Sequence, residues 1–192
     1  MNKRSLLYAF LLSLAIAAVY MAVLALAARV STPMPYFASD LASANDPLGK
    51  SVRYFMNNIK VLGCFAILMG LIVMARNRSE RNQWHTLCLV LGASVVALLI
   101  FGQRMLPGLA ALAGQMNLDP VQLLALMPHG LLEFGAMVFP SLFALVCLAR
   151  NNVLPGAMAS IFCLIGAVIM LTLAAGMEGF VTPQLLLPHV PL

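Results

Sequence analysis

The sequence predicts an all-α membrane protein: a polytopic transmembrane helix bundle of about five spans plus one short re-entrant or interfacial helix. Three observations carry this. Of 192 residues, 62% are hydrophobic and 9% charged, against about 25% charged in a soluble domain. Mean hydropathy is +0.98. The apolar residues lie in long runs divided by short clusters of charge and proline. A helix crossing lipid satisfies its backbone hydrogen bonds within one segment, and each crossing takes about 20 residues. One integral membrane domain, residues 1–192, therefore fills the chain and leaves no room for a soluble catalytic domain.

The first span covers about residues 6–28, with Lys3 and Arg4 before it and Arg29 after it. Its basic start and the triplet Ala25-Leu26-Ala27 also fit a signal peptide. The run is longer than the usual apolar region of about 7 to 15 residues, which favours a retained anchor. Residues 31–51 hold Pro33, Pro35, Pro47, Asp40 and Asp46 and read as an aqueous loop. The second span, about 54–75, is purely apolar only from Val61 to Met74 and polar at its start. Arg76, Arg78, Glu80 and Arg81 make a charged turn, and the third span, about 86–102, is closed by Gln103 and Arg104.

Met105 to Met127 is apolar but broken by Pro107, Gly108, Gly114 and Asn117-Leu118-Asp119-Pro120. Asp119 and Pro120 supply a helix cap and a first helical residue, so this stretch reads as a re-entrant or surface helix. The fourth span, about 129–149, starts after Pro128, is expected to kink at Pro140, and meets Arg150-Asn151-Asn152. The fifth, about 154–180, is interrupted by Glu178 and stopped by Pro183.

Five spans put the termini on opposite sides. With the N-terminus inside, the inner segments hold Lys3, Arg4, Arg76, Arg78, Arg81 and Arg150, and the outer ones Arg29, Lys50, Arg53 and Arg104. The excess of basic residues favours this orientation: a multi-pass protein of the cytoplasmic membrane, N-terminus inside and C-terminus outside. The net charge of +5 is what that rule produces and implies no nucleic-acid partner. Cys64, Cys88, Cys147 and Cys163 lie in apolar runs without a CxxC pair, so neither a disulfide framework nor a zinc site is suggested. GxSxG, Walker, HExxH and GxGxxG motifs are absent from the sequence, which argues against an enzyme; no cofactor or metal is expected.

The informative residues are the polar ones inside spans, because each costs about 2.5 to 3.5 kcal/mol at the bilayer centre. These are Lys60, His129, Glu133 and Glu178, with Asn57 and Asn58 beside them and Gly130 next to the histidine. His129 and Glu133, four residues apart, share one helix face. In the N-inside topology all of them fall in the outer third of the membrane, so they are expected to form one polar cluster with Lys60 paired to a glutamate. Three alternatives stand beside this: separate interfacial residues, with Lys60 snorkelling to the headgroups; a structural lock between helices; and a metal site of His129, Glu133 and Glu178, which lacks a second histidine. Gly63, Ala66 and Gly70 on the second span, Gly135 with Ala136 on the fourth, and Gly176 with Gly179 on the fifth are candidates for close helix packing.

The string Pro128-His129-Gly130-Leu131-Leu132-Glu133-Phe134, the later Glu178-Gly179-Phe180-Val181-Thr182-Pro183, and Asn57-Asn58-Ile59-Lys60 opening the second span resemble, in that order, the stage II sporulation protein M family. The resemblance covers about Tyr54 to Pro183. The turn Ala75-Arg76-Asn77-Arg78 departs from that family's Asn-Gly turn, and Met137 to Ser141 replaces its glycine-rich stretch. The resemblance implies a multi-spanning scaffold that holds cell-wall hydrolases, the stage II sporulation proteins D and P, at the membrane. Relatives in non-sporulating organisms and beside circular bacteriocins leave open a transport or export component working with an ATP-binding subunit. In that role His129, Glu133 and Glu178 would relay protons or contact a lipid or peptide. The expected partners are thus the bilayer and other membrane or envelope proteins.

Overall fold

The computed structural model describes residues 3–30, 47–115, 117–125 and 127–186. Every regular element among them is helical: α1 (Lys3–Ala28), α2 (Pro47–Ala75), α3 (Glu80–Gln115), α4 (Pro120–Ala125), α5 (Pro128–Asn151), α6 (Ala157–Gly176), a π-helical turn (Met177–Val181) and α7 (Thr182–Leu186). Among the described residues four segments are long and apolar enough to cross a membrane: Arg4–Ala28, Glu80–Gly114, Pro128–Asn151 and Ala157–Val181. A shorter apolar stretch, Gly63–Ala75, belongs to α2. The bundle is the all-α membrane architecture expected from the sequence.

The α5 helix is the hub. Of its most apolar 18-residue window 78% is buried, against 28 to 33% for the other three long segments. A helix buried on all sides needs neighbours that approach closely, and α1 supplies one. Ala9, Ser13 and Ala17 recur every four residues and are fully buried, so small side chains line one face of α1 and the backbones can come together. A Cβ added at Gly135 of α5 would lie 2.8 Å from Met170 Cε, 3.3 Å from Leu14 Cδ2 and 3.9 Å from the Ser13 carbonyl oxygen. Phe134 receives the ring edges of Tyr20 at 4.8 Å and of Phe101 at 5.9 Å, which locks α1, α3 and α5 together. Ser94 and Ser141 hydrogen-bond between α3 and α5. Because Ser94 Oγ already donates to the Val90 carbonyl at 2.9 Å, its single proton is used and Ser141 is the donor.

Three boundaries differ from the sequence expectation. The second helix begins at Pro47 rather than near residue 54, inside the stretch read as a loop. Proline is tolerated at a first helical position because its missing N–H would be unpaired there anyway. The rest of that loop, residues 31–46, lies outside the described residues. The third helix does not stop at Gln103 and Arg104 but runs through Pro107 to Gln115. Proline removes one backbone hydrogen bond, and the burial of Leu109, Ala110, Ala111 and Leu112 against the bundle offsets that loss. The chain then turns at Asn117 (φ 49), where the Leu118 amide donates to the Ala113 carbonyl at 3.0 Å; this left-handed residue ends α3 in a Schellman turn. The expected start at Asp119 and Pro120 is present as α4, a helix of 6 residues. Asp119 Oδ1 accepts from the Gln122 amide at 2.8 Å and Gln122 Oε1 from the Asp119 amide at 2.9 Å, a reciprocal capping box.

The third difference is at the end of α6, where the regular helix stops at Gly176 and opens into the π turn carrying Glu178. The fourth helix continues unbroken through Pro140 to Asn151, and Asn152 ends it in the left-handed region (φ 54) with its amide on the Leu148 carbonyl.

Candidate functional site

The two ends of α5 differ in character. At its C-terminal end Arg150 lies over the Tyr8 ring, 4.6 Å from the centroid, so the start of α1 is beside the end of α5. At its N-terminal end His129 Nδ1 hydrogen-bonds Thr182 Oγ1 at 3.0 Å, and both residues are buried. His129 and Arg150 are about 32 Å apart at 1.5 Å per residue. The first residues of α1 and the start of α7 therefore lie at opposite ends of the bundle.

The polar end is built from three pieces. Pro128 starts α5 at its first turn, which aims His129 and, one turn on, Glu133 along one buried face. Gly130 leaves room for Met21 of α1: a Cβ there would meet Met21 Cε at 2.7 Å and Sδ at 2.8 Å. The third piece is the π turn, in which the Thr182 amide donates to the Met177 carbonyl five residues back. One extra residue in a turn rotates everything after it by about 100° relative to an unbroken α-helix. That rotation brings the Thr182 hydroxyl onto His129. The turn packs against α2 as well as α5, and Glu178 on it is half-buried.

His129 and Glu133 of α5 and Glu178 of the π turn thus belong to the same end of the bundle. The partner of His129, however, is Thr182, a residue of the Glu178–Pro183 string to which no role had been given. The second-span members of the expected cluster, Asn57, Asn58 and Lys60, lie on α2, and their side chains fall outside the described residues. Among the described residues no three His, Cys, Asp or Glu side chains converge to hold a metal ion, so His129, Glu133 and Glu178 are not a metal triad here.

The small-residue candidates divide. Gly135 and Ala136 are buried in the hub, and Gly179 is buried in the π turn. Gly63, Ala66 and Gly70 are exposed, and an added Cβ at Gly63, Gly70 or Gly176 meets nothing within 4 Å. Within the described residues the close-packing stripe lies on α1, where alanine and serine, not glycine, carry it.

At the opposite end a buried residue that sequence reasoning missed holds the loops. Gln83 Nε2 donates to the Arg76 and Arg78 carbonyls at 2.9 and 3.0 Å, and its Oε1 accepts from the Leu154 amide at 3.0 Å. One amide thereby ties the α2–α3 turn to the α5–α6 loop. Its only sequence signal is a glutamine in a helical first turn, which is also where solvent-exposed glutamines occur.

The model of the family described as stage II sporulation protein M matches residues 6–183 of this chain. The chain belongs to the stage II sporulation protein M family. The match takes in α1 to α6, the π turn and the His129–Thr182 pair. Comparison with curated proteins and with solved structures returns no match. For this member of the stage II sporulation protein M family, the later two of the three strings that suggested the resemblance, 128–134 and 178–183, meet in space through the His129–Thr182 bond. The 32 Å of α5 separate them from the basic end.

Proposed function

We propose that the protein is a non-enzymatic scaffold or regulator of the cytoplasmic membrane that recruits partners acting on the envelope. The observation that carries this is the family match over residues 6–183. Two features support it. The polar end, with His129, Glu133, Glu178 and Thr182, is an ordered and largely buried construction that could shape a recruiting surface. The other end gathers Arg4, Arg76, Arg78, Arg81 and Arg150, and the excess of basic residues there favours a cytoplasmic location for it. The polar end is then the outward one, where wall hydrolases work. Affinity purification of the full chain from native membranes tests the reading: an envelope enzyme or membrane partner should co-purify and be lost on Glu178→Ala. Recovery of no such partner speaks against recruitment.

A second reading is a transport or export component working with an ATP-binding subunit. The burial of His129 and Glu133 one turn apart favours it, because buried ionisable groups on one helix face are what a proton relay needs. In vesicles containing the reconstituted protein, Glu133→Gln should abolish flux while the helical content stays intact. Unchanged flux excludes a relay through Glu133.

A further inference from the structure

At the basic end Gln83 closes the tip of the α2–α3 hairpin by binding the Arg76 and Arg78 carbonyls. Beside the tip the two helices leave a groove of about 390 Å³. Its lining recurs at helical spacing, Leu71, Met74 and Ala75 on α2 and Asn82, His85 and Leu89 on α3, with Arg78 in the turn between them, so each helix gives it a single face. That face is open to the surroundings: Met74 is 65% exposed and Leu89 76%.

The groove is graded along its length. Arg78, Asn82 and His85 stand at the tip; Leu71, Met74 and Leu89 lie further along. Asn82 to Leu89, both on α3, is about 10 Å at 1.5 Å per residue. Trp84, next to His85, and Tyr8, under Arg150, put aromatic rings at this end, as is usual at the headgroup level. Charge points the same way. Arg4, Arg76, Arg78, Arg81 and Arg150 are gathered here, and among the described acidic residues only Glu80 is at this end.

We propose that this groove binds one anionic phospholipid. The phosphate sits on the Arg78 guanidinium with Asn82 and His85 beside it, and an acyl chain runs along Leu71, Met74 and Leu89. Basic recesses between membrane helices take anionic headgroups in this way. A zwitterionic lipid offers the same phosphate, but its own cation meets the surrounding arginines, so the net negative lipid is favoured. The inference does not depend on which partner the polar end recruits.

The chain has one tryptophan, Trp84, 38% exposed, which makes the test direct. The full chain is reconstituted in phosphatidylcholine vesicles carrying a minor fraction of brominated phosphatidylglycerol or brominated phosphatidylcholine, and quenching of Trp84 is measured. The brominated phosphatidylglycerol should bind about fivefold better, the worth of one basic residue near the surface. Arg78→Gln should bring the ratio close to unity. Arg81→Gln, which removes the same charge outside the groove, should leave it unchanged. Equal quenching by both lipids overturns the proposal. So does an Arg81→Gln effect as large as that of Arg78→Gln, which would mean diffuse surface charge. Cross-linking of a Met74→Cys chain to a Leu89→Cys chain in native membranes also overturns it, because the groove would then hold a second copy.

Discussion

The contact between His129 and Thr182 is the most direct handle on the polar end, and Thr182→Val isolates it. Valine has the shape of threonine without the hydroxyl, so no cavity opens, and the change removes only the 3.0 Å bond to His129 Nδ1. His129 is 3% exposed and Thr182 8%, so water does not readily take over the lost partner. A net hydrogen bond is worth about 0.5–1.5 kcal/mol, and an orphaned buried polar group costs about 1–3 kcal/mol. Interhelical bonds in a membrane protein average about 0.6 and reach about 1.7 kcal/mol. The expected loss for Thr182→Val is therefore about 1–2 kcal/mol. Unfolding by SDS in mixed micelles, followed through the fluorescence of Trp84, measures it. Thr182→Ser should recover most of the loss, and a double-mutant cycle with His129→Phe should show coupling of about 1 kcal/mol. Coupling below about 0.3 kcal/mol, with Thr182→Val as stable as the parent chain, refutes the reasoning.

Three further outcomes are expected. Gly135→Ala should stay within about 1 kcal/mol of the parent, since the helix-propensity gain of about 1 kcal/mol offsets the displacement of Met170 and Leu14. Gly135→Leu should cost about 3 kcal/mol or more by driving α1 off α5, read in the same SDS titration. Gln83→Leu leaves two carbonyls and the Leu154 amide without this partner and should cost about 2 kcal/mol. It should also speed amide exchange at Leu154. Asp119→Ala breaks the capping box at α4 and should cost about 1 kcal/mol, with faster exchange of the Gln122 amide as the local readout.

Much of the helix plan was legible because it depends on local composition. The charged turn from Arg76 to Arg81 and the Asp119-Pro120 start fall where the sequence put them. The continuation of α3 past Pro107 was not legible, because a proline breaks a helix only if nothing nearby compensates; the compensation here is burial of residues 109–112 on the bundle. The packing contact was legible on one side alone. Small-residue spacing pointed to Gly135 with Ala136, which face the α1 stripe, but also to Gly63, Ala66 and Gly70; a small residue promotes close approach only where a neighbouring helix arrives, and the α1 side of that contact, Ala9, Ser13 and Ala17, was not singled out.

The candidate site divides in the same way. Polarity singled out His129, Glu133 and Glu178, since a titratable residue in an apolar run stands out without any structure. Thr182 was hidden, because a hydroxyl residue at a helix end is unremarkable until the π turn rotates it onto His129.

By itself the sequence determined the apolar, all-helical class of this chain, the rough position of several of its helices, and the family it resembles. All of these follow from free energies that sum residue by residue along one segment. Which helix becomes the buried hub, which glycines and serines touch, and which hydroxyl meets the histidine were decided only by tertiary structure. These depend on the rotation of each helix about its axis, a quantity no single segment contains.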